Sequence, residues 1–182
     1  MNSNFSFLQQ EFASIRETAM DAERHVYTAP MYCAILCRKS LEEWVRWIYD
    51  NDKDVQLPYD TTLNSLIHEQ SFMDVIPPSL WNEINLIRKV GNNAVHTNEK
   101  TDSKKALAAV KCFFDFALWV VRIYSRAQTP VISLNENLIP RAPRDDKSKE
   151  ELLRLSTRFE AAQQQLQRAN RELERNQQLL EA

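Results

Sequence analysis

The sequence predicts an all-α protein, a helical bundle of about five helices followed by a long coiled-coil helix, and three observations carry that expectation. Glycine occurs once in 182 residues, at Gly91, where average usage would supply about a dozen. Apolar residues recur at spacings of three and four along most of the chain, the period of a helix with one buried face. From Leu152 onward those spacings alternate without a break, as along a coiled-coil seam.

The single glycine also limits function. Phosphate loops, dinucleotide-binding turns and nucleophile elbows depend on glycine for tight turns and close backbone approach, and hairpin-rich β folds depend on it for their turns. One glycine supports none of these, so nucleotide-dependent chemistry is not expected within these residues.

Taken in order, Phe5, Leu8, Phe12, Ile15, Ala19 and Ala22 predict an amphipathic helix from about Asn4 to Thr28, opening on an Asn or Ser cap. Pro30 suits the first turn of a second helix, where a missing N–H costs nothing. That helix runs to about Asp50 and buries Ala34, Cys37, Leu41, Trp44, Val45 and Ile48. Asn51–Tyr59 is polar and reads as a loop, and Thr62–Glu69 as a short helix burying Leu63, Leu66 and Ile67. Pro77 and Pro78 begin a helix carrying Leu80, Trp81, Ile84, Ile87 and Val90. It is expected to stop at Gly91, the residue that most easily adopts φ > 0 just past a helix end. Asp102–Arg126 supplies the last core helix, with Leu107, Val110, Phe113, Phe114, Ala117, Leu118, Val121 and Tyr124 inward.

Residues 1–126 thus form the helical bundle and 127–147 a proline-containing linker crossing its surface. Residues 148–182 form the coiled-coil segment, with Leu152, Phe159, Leu166, Leu173 and Leu180 at one seam position and Leu155, Ala162, Ala169 and Asn176 at the other. The pattern is still running at Ala182, so the chain is expected to continue into a longer protein, and the seam offers a route to self-association.

The net charge is −2, without the basic excess of a dedicated nucleic-acid binder. No apolar run reaches the roughly 18 residues needed to span a bilayer, and no signal sequence opens the chain, so no membrane contact is expected. Three cysteines, Cys33, Cys37 and Cys112, form an odd set without disulfide spacing, which suits the cytoplasm. Cys33 and Cys37 lie one helical turn apart, as metal ligands can, but His25, His68 and Cys112 are not paired locally. They read as small buried residues, and no metal site is expected. Arg38, Lys39, Glu42, Glu43 and Arg46 match ordinary ion pairs on an exposed helix face.

One segment stands apart. Ile87-Arg-Lys-Val-Gly-Asn-Asn-Ala-Val-His96 packs a glycine, two asparagines and a histidine between two apolar helices. Arg88, Gly91, Asn92, Asn93 and His96 are the candidate site residues, either as a polar network fixing a helix junction or as a cleft facing a ligand or nucleic acid. No catalytic residue is assigned.

The stretch Leu86-Ile-Arg-Lys-Val-Gly-Asn-Asn-Ala-Val-His96 resembles the signature of the domain at the amino terminus of type I restriction enzyme R (HsdR) subunits. Ser3-Asn-Phe-Ser-Phe-Leu8, Val26-Tyr-Thr-Ala-Pro30, Leu57-Pro-Tyr59, Ile76-Pro-Pro78 and Ala117-Leu-Trp-Val-Val-Arg-Ile-Tyr124 agree with it. About two thirds of the chain is covered. The resemblance implies a non-catalytic interaction domain of an ATP-dependent DNA translocase and endonuclease, a type I site-specific deoxyribonuclease of bacterial restriction-modification defence. A coiled coil, a nuclease domain and helicase motors follow in that family. ATP and Mg would serve those further domains, and no cofactor is expected in residues 1–182. The implied partners are the modification and specificity subunits or the parent's own motor domains, with DNA contacted through the complex. The same domain is similar, more distantly, to HEPN domains, which are often ribonucleases with an Arg, four to six residues, then His. Here the four-residue spacing back from His96 lands on Gly91, and seven residues separate Arg88 from His96. The alternatives implied are an HEPN-like RNA-cleaving or RNA-binding module, or a coiled-coil dimerisation module.

Overall fold

The computed structural model describes residues 3–8, 12–96, 101–125, 131–141 and 154. Among these are six α-helices and no strand: α1 (Ala13–Arg24), α2 (Pro30–Asn51), α3 (Leu63–His68), α4 (Gln70–Val75), α5 (Pro78–His96) and α6 (Ser103–Tyr124). Short 3-10 turns occupy Asn4–Phe7 and Glu136–Leu138. The all-α expectation holds. The opening helix is shorter than its apolar spacing suggests, because Asn4–Phe7 forms a separate turn capped by Ser3. Helix α4 was not expected; it follows α3 after a single extended residue, Glu69.

The helix ends follow local chemistry. Pro30 opens α2. The Thr62 side chain accepts from Ser65 N at the start of α3, and the Asp102 carboxylate accepts from Lys105 N at the start of α6, each satisfying a donor that has no partner within its helix. At the other end of α3, the last carbonyls are taken up by neighbours. Tyr49 Oη donates to Leu66 O and Trp81 Nε1 to Ile67 O, both at 2.7 Å. A helix too short to stand alone is thereby tied to α2 and α5.

The four long helices make the bundle. Tyr32 reaches Asp21 while Trp44 and Trp47 meet Phe12, so α1 and α2 run antiparallel. Cys33 lies against Ala106, Trp44 against Phe113 and Phe116, and Trp47 against Tyr124, so α2 and α6 run parallel. Helix α5 packs against both, and its contact with α2 is the most extensive in the bundle. The core is aromatic at its centre, with Trp44, Phe5, Phe113, Phe114 and Phe116 all buried; burial of one such phenylalanine is worth about 1.5–3 kcal/mol.

The chain divides into two compact units, Met1–Arg141 and Ala142–Ala182. In the first, residues 131–141 return to the beginning of the chain. Asn135 N donates to Asn4 Oδ1 at 2.7 Å, Asn4 Nδ2 donates to Asn135 O at 3.1 Å, Lys111 pairs with Glu136, and Ile139 is buried. Of the second unit only Arg154 is described. The seam at Leu152, Leu155, Phe159, Leu166, Leu173 and Leu180 therefore lies outside the described residues.

Candidate functional site

Helix α5 does not stop at Gly91. It runs unbroken from Pro78 to His96, and among the described residues none, glycine included, has positive φ. The expected helix end is thus corrected, and Gly91 needs a different explanation. Leu80, Ile84, Ile87, Gly91 and Ala94 form the buried stripe of α5 at spacings of four and three. Gly91 lies where α2 crosses: a Cβ placed on it would stand 2.5 Å from Arg38 Cβ and 2.8 Å from Arg38 Cδ. A glycine inside a helix costs about 1 kcal/mol relative to alanine. What offsets that cost here is close approach of two helices.

Continuity of α5 also redistributes the other candidates. Arg88 to His96 spans roughly 12 Å of helix axis, so they do not converge on one turn. Arg88 and Asn92, one turn apart, share a flank of the helix. Arg88 Nε donates to Asn85 Oδ1 at 3.2 Å, and Asn85 is buried. Asn92 is half-buried and Asn93 exposed. His96 is the last residue of α5. The polar cluster read as a junction is spread around one continuous helix: Gly91 is on the buried stripe, Asn92 beside it and Asn93 on the exposed side.

The other flank of α5 carries chemistry the sequence reading passed over. Glu83 sits opposite Cys112 and Asp115 of α6. Partial burial pushes the Glu83 carboxyl above its ordinary range, with the Asp115 charge adding to it, and burial raises Asp115 likewise. Glu83 Oε2 is buried without a hydrogen-bond partner. The available signal was positional: three residues after Leu80 and four before Ile87, Glu83 borders the apolar stripe. Cys112 is pushed up to about 12 by burial and by the charges of Glu83 and Asp115. Cys33 is also raised, by its hydrogen bond to Cys37 and by burial. Thiols held protonated are poor nucleophiles, which fits their reading as packing residues.

A second missed feature is Glu23, buried at 2% exposure. Its Oε1 accepts from Asn4 N at 3.1 Å and from Asn4 Nδ2, while Oε2 accepts from Ser3 Oγ. This carboxylate anchors the first turn of the chain to α1. On the outer side of the α1–α2 hairpin an open cleft of about 690 Å³ includes Arg16, Glu17, Asp21, Arg24 and Lys39 in its lining. Its charges are mixed and largely spoken for: Asp21 accepts from Tyr32 at 3.0 Å and lies near Arg24 and His25. His25 and His68 each face, through Nδ1, the carbonyl four residues back, and their rings pack edge-on against Tyr32 and Trp81.

Among the described residues no helix is long and apolar enough to cross a membrane, and no group of three or more His, Cys, Asp or Glu side chains could hold a metal. A family model described as a domain of unknown function, DUF4145, matches residues 21–136, from the end of α1 to the second 3-10 turn. No curated protein and no solved structure matches the chain.

Proposed function

This chain belongs to the DUF4145 family, and from that premise we propose that it is a non-catalytic interaction domain of the kind found at the amino terminus of type I restriction R subunits. The observation that carries this is the Leu86–His96 segment, whose resemblance to that signature lies within the matched stretch. Two features agree with it. The Cys33 and Cys112 thiols are held protonated, and the two described histidine side chains each face the carbonyl four residues back. In this role the domain contacts the modification and specificity subunits, the parent's motor, or DNA through the complex, while ATP and Mg serve domains beyond these residues. The test is co-purification with modification and specificity subunits encoded beside it, together with reading the coding sequence past Ala182 for a nuclease and helicase. Failure to bind, with no nuclease–helicase encoded, refutes the proposal.

One observation favours the alternative of an HEPN-like ribonuclease. Arg38 crosses α5 at Gly91, the position where the HEPN pattern carries its arginine, and Arg38 Nε is buried without a partner. A guanidinium supplied from α2 could stabilise charge on a cleaved phosphate in place of one on α5, with His96 as acid or base. Cleavage of single-stranded RNA by the purified chain, lost in both Arg38→Ala and His96→Ala variants that still fold, would establish this reading over the first.

A further inference from the structure

The loop between α2 and α3 is tied down on several sides. The Asp52 carboxylate accepts from Tyr124 Oη at 2.6 Å, which fixes its start to α6. Gln56 N donates to Ser71 Oγ at 2.9 Å, fixing its middle to α4. Arg46 reaches Thr61 O at 3.0 Å, fixing its end to α2. Asp60 accepts from Thr62 N at 2.9 Å, and Val55 is buried. Pro58 removes further backbone freedom. Yet this anchored loop holds two large apolar side chains outward: Leu57 is 65% exposed and Tyr59 fully exposed.

A mobile loop carrying such residues would lose entropy on binding, whereas one already fixed loses little. Tyrosine and leucine held rigidly in water are suited to fill pockets on a partner, and tyrosine is enriched among residues that dominate binding energy. Helix α4, to which the loop is pinned, adds the exposed Met73. The surrounding charge is mostly negative, with Arg46 at the loop's end as the exception on α2. From Asp50 to Val75 the chain carries Asp50, Asp52, Asp54, Asp60, Glu69 and Asp74 against Lys53 alone. That surface repels nucleic-acid phosphates and attracts lysine and arginine.

We propose that the Leu57–Tyr59 loop is the docking point for a protein partner that presents an apolar pocket rimmed by basic residues, and that DNA does not bind at this end of the bundle. This rests on the reading of the chain as an interaction domain and assigns the surface through which it acts. The loop lies about 30 residues before the polar segment of α5, so the two surfaces can be separated by mutation.

The experiment uses the full chain and, as probe, the purified modification–specificity complex encoded beside it. Binding is measured by interferometry at low and moderate salt, for wild type and for the Leu57→Ser/Tyr59→Ser double variant. Both side chains are in solvent, so melting should be unchanged, which calorimetry checks. Binding that weakens with salt, and that falls by about tenfold or more in the double variant, supports the proposal. Equal binding by wild type and double variant overturns the docking assignment and leaves the interaction-domain reading standing. Binding indifferent to salt overturns the basic rim. Absence of binding by the wild type overturns both.

Discussion

Gly91 and Arg38 meet at the crossing of α5 and α2, where a methyl group on Gly91 would lie 2.5 Å from Arg38 Cβ. The Cβ atom cannot swing aside as a side-chain tip can; relief requires the helices to part. Gly91→Ala is therefore expected to destabilise, although alanine is the better helix former by about 1 kcal/mol. Overpacking of this kind costs about 1–3 kcal/mol, and Gly91→Val should cost more. Urea unfolding checks the sign. Arg38→Gly should recover part of the loss in the double variant; a Gly91→Ala variant more stable than wild type would show that the helices are free to separate.

Glu83→Gln should stabilise the protein near neutral pH. Burial and the Asp115 charge raise the Glu83 carboxyl in the folded state, so folding favours its neutral form. Stability from this group is complete below the unfolded-state value and is lost as pH rises through the folded one. Glutamine removes that loss. Melting temperature should rise in the variant at pH 7 and match wild type in acid below the ordinary glutamate range. Asp115, also raised by burial, acts in the same direction, whereas Asp60, held low chiefly by its hydrogen bond from Ser65, acts in the opposite one.

Glu23→Ala should loosen the start of the chain. It strands the buried Asn4 N, leaves Asn4 Nδ2 with Asn135 O alone and removes the acceptor of Ser3 Oγ, and a buried donor so stranded costs about 1–3 kcal/mol. Hydrogen exchange should report faster labelling of residues 3–8 while the α2–α5 contact stays protected. Uniform loss of protection would instead mean that Glu23 supports the whole bundle.

The purified chain should neither hydrolyse ATP nor cleave DNA, since one glycine leaves no phosphate loop. Turnover abolished by a point substitution within residues 1–182 would contradict this.

The helices were legible where apolar spacing was long and regular. The stripe of α2 and the phenylalanines of α6 specify both position and inward face, and Pro30, Thr62 and Asp102 mark their starts. Gly91 misled for a physical reason: glycine serves two purposes, permitting φ > 0 and permitting close approach, and only the partner helix distinguishes them. Nothing local to Gly91 indicates that Arg38, more than fifty residues earlier, lies across it. Glu83 and Glu23 were hidden similarly. A carboxylate on a helix ordinarily faces water, and its burial depends on what α6 and the first turn bring to it. Leu57 and Tyr59 show the converse, because exposure of an apolar loop residue becomes visible only once the surrounding loop is seen to be fixed.

The bonds between Asn4 and Asn135 have a consequence for synthesis. They join residues 131 positions apart, so one partner is made almost at the outset and the other near the end of the first unit. At roughly 5–20 residues per second, the ribosome needs on the order of ten seconds to supply the second. Through that interval Phe5 also lacks Phe113 and Phe114, the rings that cover it. The nascent α1–α2 hairpin thus waits with its aromatic face open, and the opening turn, held early by Glu23, gains its second anchor at Asn135 only near the end.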